Sequence, residues 1–280
     1  MDSTQTNEVP LFKIKDFKAQ AKAQLKDKKK GPVLCTLILF LFMLAIYFII
    51  IPMAINLNNA ETLAAYVKMY VTLLSISLIF SLLASILEFA ILSVHFKLYK
   101  TQEAVTLGDL FKSFSIWKKA IGATLYKMLF IFLWELAVIL PIGIIGGITA
   151  AFVVGEYEQV SIILFIILFV AYIFAIIFLI SKLYQYSLME LIIVDNPETS
   201  KIKESLKTSI KITKGYKKKL FLLDLSFIGW GILCMLTLGI LGLWILPYYY
   251  MTSINAYQFI KKANNLEEEK LALESPSNEE

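Results

Sequence analysis

Four ionisable side chains stand inside long apolar runs of this 280-residue chain: Glu88, Lys127, Glu135 and Asp224. Placing a charge at bilayer depth costs ~2.5–3.5 kcal/mol on insertion scales, so each is a candidate for function. At ~1.5 Å of helix per residue, Glu88 lies about 12 Å from the nearer end of its run, Lys127 about 9 Å and Asp224 about 6 Å into theirs. That spacing predicts a Glu88–Lys127 pair facing the interior of a helix bundle. The competing reading has Lys127 and Asp224 reaching back to the interface, with Glu88 protonated against a hydroxyl such as Ser85. Glu135, beside Trp134, lies deeper, at about 21 Å, with no cation at its level. It is either a proton or solute site or a protonated structural hydrogen bond.

Other chemistries find little support. His95 is the single histidine and lies next to Lys97 without partners for a metal. Ser93 falls elsewhere on the same helix, so no nucleophile–base pair forms. Cys35 and Cys234 both fall in apolar runs and read as small buried hydrophobes. There is no Gly-Lys-Ser/Thr phosphate loop, no His-Glu-x-x-His and no paired-carboxylate motif. The sequence therefore predicts no enzyme, no cofactor and no metal site. All 27 basic residues are lysines. Without guanidinium forks for phosphate, nucleic acid is not an expected partner. The expected partners are anionic lipid headgroups and, beyond them, a membrane protein or a second copy of the chain.

The elements that must position these groups are long and apolar. Hydrophobic residues make up 58% of the chain, against about 45–50% for a soluble domain. The excess lies in runs long enough to cross a bilayer. The predicted fold is an all-α polytopic bundle with spans at 33–55, 69–96, 121–150, 160–181, 220–238 and 241–260. Residues 1–32 form a basic lead, 33–262 the membrane domain, and 263–280 an acidic, disordered tail. The first span is full length and uncleaved, a signal anchor. Lysine clusters before span 1, between 2 and 3, between 4 and 5, and after 6 place both termini in the cytoplasm.

Each odd span is preceded by a basic amphipathic segment suited to a membrane surface. The first, over residues 11–30, aligns Leu11, Ile14, Phe17 and Ala21, and Gly31-Pro32 breaks it. The second aligns Leu107, Leu110, Phe111, Phe114 and Trp117. The third aligns Ile202, Leu206, Ile210 and Thr213, flanked by Lys201, Lys203, Lys207, Lys211 and Lys214. With Lys217, Lys218 and Lys219, these lysines are the expected lipid-headgroup contacts. Asn196 is expected to cap the third segment, with Pro197 in its first turn. Pro141, Gly143, Gly146 and Gly147 are expected to bend or end span 3, and the last hairpin to turn near Gly239–Gly242. The glycines are expected to allow close helix packing, and Trp244 with Tyr248–Tyr250 to form an outer interfacial belt. The surface-helix-plus-hairpin unit occurs three times, which fits an internal repeat or a shared composition of cytoplasmic loops.

Residues 220–250, including Leu220-Phe221-Leu222-Leu223-Asp224-Leu225-Ser226-Phe227-Ile228-Gly229-Trp230 and Leu243-Trp244-Ile245-Leu246-Pro247-Tyr248, closely resemble the carboxy-terminal signature of an uncharacterised bacterial membrane family. It is known as domain of unknown function 975 and is found mostly in Firmicutes. Leu110-Phe111, Phe130-Ile131-Phe132-Leu133-Trp134 and Asp195-Asn196-Pro197-Glu198 also match. The resemblance implies a multi-pass protein of the bacterial cytoplasmic membrane without an established activity, distantly similar to membrane domains attached to glycerophosphodiester phosphodiesterases. Pro141-Ile142-Gly143 departs from the Pro-Gly expected there. The functional expectation is a non-enzymatic accessory or scaffold protein engaging lipid and a partner on its cytoplasmic face. The alternative is a small transporter or lipid-handling protein using Glu88, Lys127 and Glu135.

Overall fold

A computed structural model describes residues 11–57, 62–155 and 157–274. Among these every regular element is helical, so each long apolar segment satisfies its own backbone groups. Eleven α-helices follow in order: α1 (Ile14–Leu25), α2 (Lys30–Leu57), α3 (Leu63–Thr101), α4 (Leu107–Ser113), α5 (Trp117–Val154), α6 (Glu158–Tyr186), α7 (Met189–Asp195), α8 (Ile202–Ile212), α9 (Lys217–Leu225), α10 (Ile228–Leu236) and α11 (Gly242–Glu274). Five stretches are long and apolar enough to cross a membrane: Lys30–Pro52, Leu63–Thr101, Leu107–Val154, Gln159–Asp195 and Lys217–Leu236. α11 is not among them. Tyr248, Tyr249, Tyr250, Asn255 and Gln258 dilute its apolar residues, and it is instead a helix the protein buries, with Met251, Ile254, Tyr257 and Ile260 enclosed.

The molecule has a packed base and an open upper part. The base gathers α1, α4, α7 and α8 around α11 and the last turns of α3. Its core includes Leu87, Phe89, Ile91 and Leu98 of α3 with Met189 and Ile193 of α7. The upper part holds most of α2, α3, α5 and α6, where Phe48, Leu74, Ile144, Ile163 and Phe169 are all exposed. These side chains have no protein surface among the described residues to cover them.

The short amphipathic helices do not lie on a membrane surface by their apolar faces. α1 spends Phe17, Ala21 and Leu25 on the protein, chiefly along α11. Gln24 and Asn255 exchange side-chain hydrogen bonds at 3.0 and 3.1 Å. α8 likewise buries Leu206 and Ile212, and the face predicted on α4 is divided, with Leu110 buried but Phe111 and Trp117 exposed.

Several boundaries also differ from expectation. Gly31 and Pro32 begin α2 rather than break α1, since proline suits a first helical turn. A Cβ on Gly31 would sit 1.9 Å from the Val105 carbonyl oxygen, so only glycine fits. α5 runs through Pro141 to Val154, and a Cβ on Gly143, Gly146 or Gly147 would meet nothing within 4 Å. These glycines mediate no close packing. α8 starts at Ile202, not at Asn196; residues 196–200 form a turn closed by the Ser200 amide donating to the Asn196 carbonyl (3.1 Å). α11 continues through Glu274, past the expected start of the tail at 263; residues 1–10 and 275–280 lie outside those described.

The last hairpin departs furthest. Its first arm is broken at Ser226–Phe227 into α9 and α10. The Ser226 carbonyl there accepts a hydrogen bond from Lys18 Nζ at 2.9 Å, and the same ammonium sits 4.1 Å above the Phe227 ring. The hairpin turns where expected, with Leu238 and Gly239 left-handed at φ 51° and 85°. But a Cβ on Gly239 would lie 2.9 Å from the Phe40 ring, and Phe40 is in the first half of the 28-residue α2. The turn thus stands beside the lower part of α2, leaving about 25 Å of α2 above it. The expected spans 220–238 and 241–260 meet at this turn, and of the two only the first falls in a stretch long and apolar enough to cross a membrane, Lys217–Leu236.

Candidate functional site: a polar layer and the groove above it

Lys127 on α5 does pair with a carboxylate, but that of Glu190 on α7. No hydrogen bond or ion pair joins it to Glu88 among the described residues. Glu190 satisfies the criterion that singled out Glu88: an ionisable residue in an apolar run, Leu188-Met189-Glu190-Leu191-Ile192-Ile193-Val194. It was missed because that run reads as a continuation of span 4. The chain breaks at Ser187–Leu188 instead, which swings Glu190 back toward α5.

Asp224 is held by two phenols. Tyr184 Oη donates to Oδ2 at 2.7 Å and Tyr249 Oη to Oδ1 at 2.9 Å. Tyr249 and Tyr250 therefore face the interior rather than an outer belt. The Tyr250 ring packs 5.1 Å from His95, centroid to centroid. His95 is fully buried; its Nδ1 lies 2.7 Å from the Ile91 carbonyl oxygen, and its Nε2 has no hydrogen-bond partner among the described residues. No hydrogen bond joins Glu88 to Ser85 among the described residues; the Ser85 hydroxyl donates to the Leu82 carbonyl at 2.7 Å.

Glu135 is separate from this layer. It is exposed on the outer side of α5, in a shallow hollow with Leu78, Leu125, Met128, Leu129 and Phe132. Its neighbour Trp134 turns the other way: the indole N–H donates to Tyr186 Oη at 2.8 Å, and Lys182 Nζ lies 3.7 Å above the ring. Glu88, Lys127 and Glu135 do not line one path.

Glu88 is exposed to a groove of about 550 Å³ between α2, α3 and the last hairpin. Leu39, Phe40 and Met43 form one wall and Cys234, Leu243 and Leu246 the other; Tyr249 and Tyr250 lie near Glu88 at its polar end. Glu88 has no hydrogen bond or ion pair among the described residues, though it feels the fields of Glu190 and Lys127.

A second charged cluster lies at the base around Asp195, which in sequence reads only as the residue leading into the expected Asn196 cap. The Asp195 side chain is 5% exposed and pairs with Lys100 at 2.8 Å and Lys261 at 2.7 Å, while Tyr257 Oη donates to it at 3.1 Å. Lys119 plays a different part: its ammonium donates to the carbonyls of Pro197, Glu198 (3.3 Å) and Ser200 (2.9 Å). Of the expected headgroup lysines, Lys201, Lys203, Lys207, Lys211, Lys214, Lys218 and Lys219 are exposed. Lys217 is half-buried and reaches Ser181 Oγ at 3.4 Å, and Lys219 lies 4.8 Å above the Tyr216 ring.

Long apolar helices around a small polar layer place this chain among all-helical proteins with helices long and apolar enough to cross a membrane. The chain belongs to the family described as "Protein of unknown function (DUF975)", which matches residues 12–264. No curated protein and no solved structure matched it.

Proposed function

We propose that the chain is a multi-pass protein of the bacterial cytoplasmic membrane, acting without catalysis as an accessory or scaffold protein. In this reading α2, α3, α5 and α6 cross the bilayer, and α9–α10–α11 enters half way and returns. The lysine-rich base, with both ends of the chain, faces the cytoplasm. Non-helical backbone at membrane depth is tolerated where the protein satisfies it, as Lys18 does for Ser226.

One observation carries the functional part. The apolar faces of α1 and α8 are spent on protein, so their lysines project from a fixed platform. Near an anionic membrane each lysine contributes about 1 kcal/mol. The test is native mass spectrometry of the full chain extracted with its lipid. Wild type is expected to retain anionic phospholipid over phosphatidylethanolamine. Neutralising Lys203, Lys207 and Lys211 of α8 together to Gln is expected to lower that retention by at least about tenfold, the effect of more than 1 kcal/mol. Equal retention by both proteins removes the lipid-gripping role.

A further inference from the structure

The groove beside Glu88 is not used by the platform reading, and its chemistry narrows what fits it. The volume, about 550 Å³, lies in the range of small-ligand sites. The walls are apolar except at one end. There the Thr36 hydroxyl already donates to the Pro32 carbonyl at 2.9 Å, and the Tyr249 hydroxyl to Asp224 at 2.9 Å. What remains for a ligand is the Glu88 carboxylate and the Tyr250 phenol, neither hydrogen-bonded among the described residues. Of the charges at this end, Glu88, Glu190 and the Asp224 behind Tyr249 are negative against one positive Lys127, and Lys127 is already paired. A cation at Glu88 reduces that excess of negative charge, and the adjacent aromatic rings of Tyr249 and Tyr250 favour an ammonium.

The shape specifies the rest of the ligand. The α10–α11 turn ends beside Phe40, so the last hairpin does not cover the groove above it on that side. Gly231, Gly239 and Gly242 line it, widening it where side chains would narrow it. An apolar tail leaving the polar end therefore runs along α2 into the bilayer.

We propose that this groove binds an amphiphile with an ammonium head, its cation on Glu88 and its tail between α2 and the last hairpin. The site is independent of lipid contact at the lysine platform. The experiment measures equilibrium binding of radiolabelled hexadecyltrimethylammonium to the full chain in dodecyl maltoside. Uncharged hexadecanol and anionic hexadecanoate are run beside it. Wild type is expected to bind the cation saturably, at one site, and more tightly than either control. Glu88→Gln is expected to weaken the cation at least about tenfold and to leave hexadecanol unchanged. Gly231→Leu is expected to abolish both; its Cβ meets nothing within 4 Å, and leucine is the better helix former, so the variant folds. The proposal is overturned by undiminished cation binding in Glu88→Gln, by hexadecanol or hexadecanoate binding as tightly as the cation, by retained binding in Gly231→Leu, or by no saturable binding in wild type.

Discussion

At the base, Ile91, Met189 and Ile254 are fully enclosed and Asp195 meets two lysines and a tyrosine. Higher up, Phe48, Ile144, Ile163 and Phe169 touch little but one another's helices. Both regions are made of the same residue types, and in both the backbone is helical. They differ in what each side chain is asked to contact. Base residues need a complementary protein surface, because polar groups and turns are interleaved with them. Upper residues need only a solvent as apolar as themselves, which lipid supplies without shape complementarity. Composition thus decides that these segments are helices, while interleaved polarity decides where they pack.

The sharpest way to break this contrast is to damage each region equally. Ile91→Ala is expected to cost about 2–5 kcal/mol, as core truncations do. Phe169→Ala on the upper α6 is expected to cost under about 0.5 kcal/mol, as exposed positions do. Folded fraction during titration with sodium dodecyl sulfate reads both, and comparable losses would mean the upper part is packed by something besides lipid. Asp195→Ala is expected to cost about 3 kcal/mol. It strands two lysines and a phenol around a nearly closed site, and both lysines are partly exposed, which limits the loss.

A smaller effect tests the polar layer between the regions. In a double-mutant cycle, Lys127→Met and Glu190→Met are expected to couple by about 1–2 kcal/mol, while Lys127→Met and Glu88→Gln are expected to add. Coupling in the second cycle but not the first would restore the pairing that spacing alone suggests.

The mildest test changes no stability and asks only how high the last hairpin reaches. In a background without Cys35 and Cys234, Tyr157→Cys at the α5–α6 turn should react with a membrane-impermeant maleimide added outside intact cells. Thr237→Cys should not. Labelling of both would make the last hairpin a full crossing.

How much of this was legible follows the same divide. Runs of Leu, Ile and Phe over α2, α3, α5 and α6 leave no alternative to long helices, and Gly239 located a turn. Glu88, Lys127 and Asp224 were rightly singled out as polar groups that need partners. The partners were not legible, because pairing depends on angles set by breaks. Ser187–Leu188 turns Glu190 toward Lys127, and the placement of α9 brings Asp224 to Tyr184 and Tyr249. The break at Ser187–Leu188 carries no proline or glycine to announce it; the turn before α9 does carry one, Gly215, left-handed at φ 82°, but a turn residue does not give the direction the next helix takes. Amphipathic spacing in α1 and α8 was read correctly as one apolar face, but spacing alone does not distinguish a protein surface from a lipid one. Lysine raised the same ambiguity: Lys18 and Lys119 resemble headgroup contacts in sequence, yet they cap backbone carbonyls.

The docking of α1 along α11 also sets a timetable for the ribosome. Gln24 is translated 231 residues before Asn255, the residue it bonds. At about 5–20 residues per second, α1 waits on the order of 10–50 s for its dock. Throughout that interval Phe17, Ala21 and Leu25 lack the surface that buries them. On the proposed reading the early hairpins enter the bilayer on their own, but the base closes only when the late helix arrives. A chain stalled before α11 is thus left with an apolar helix face uncovered at its base, a state that quality control can read from α1.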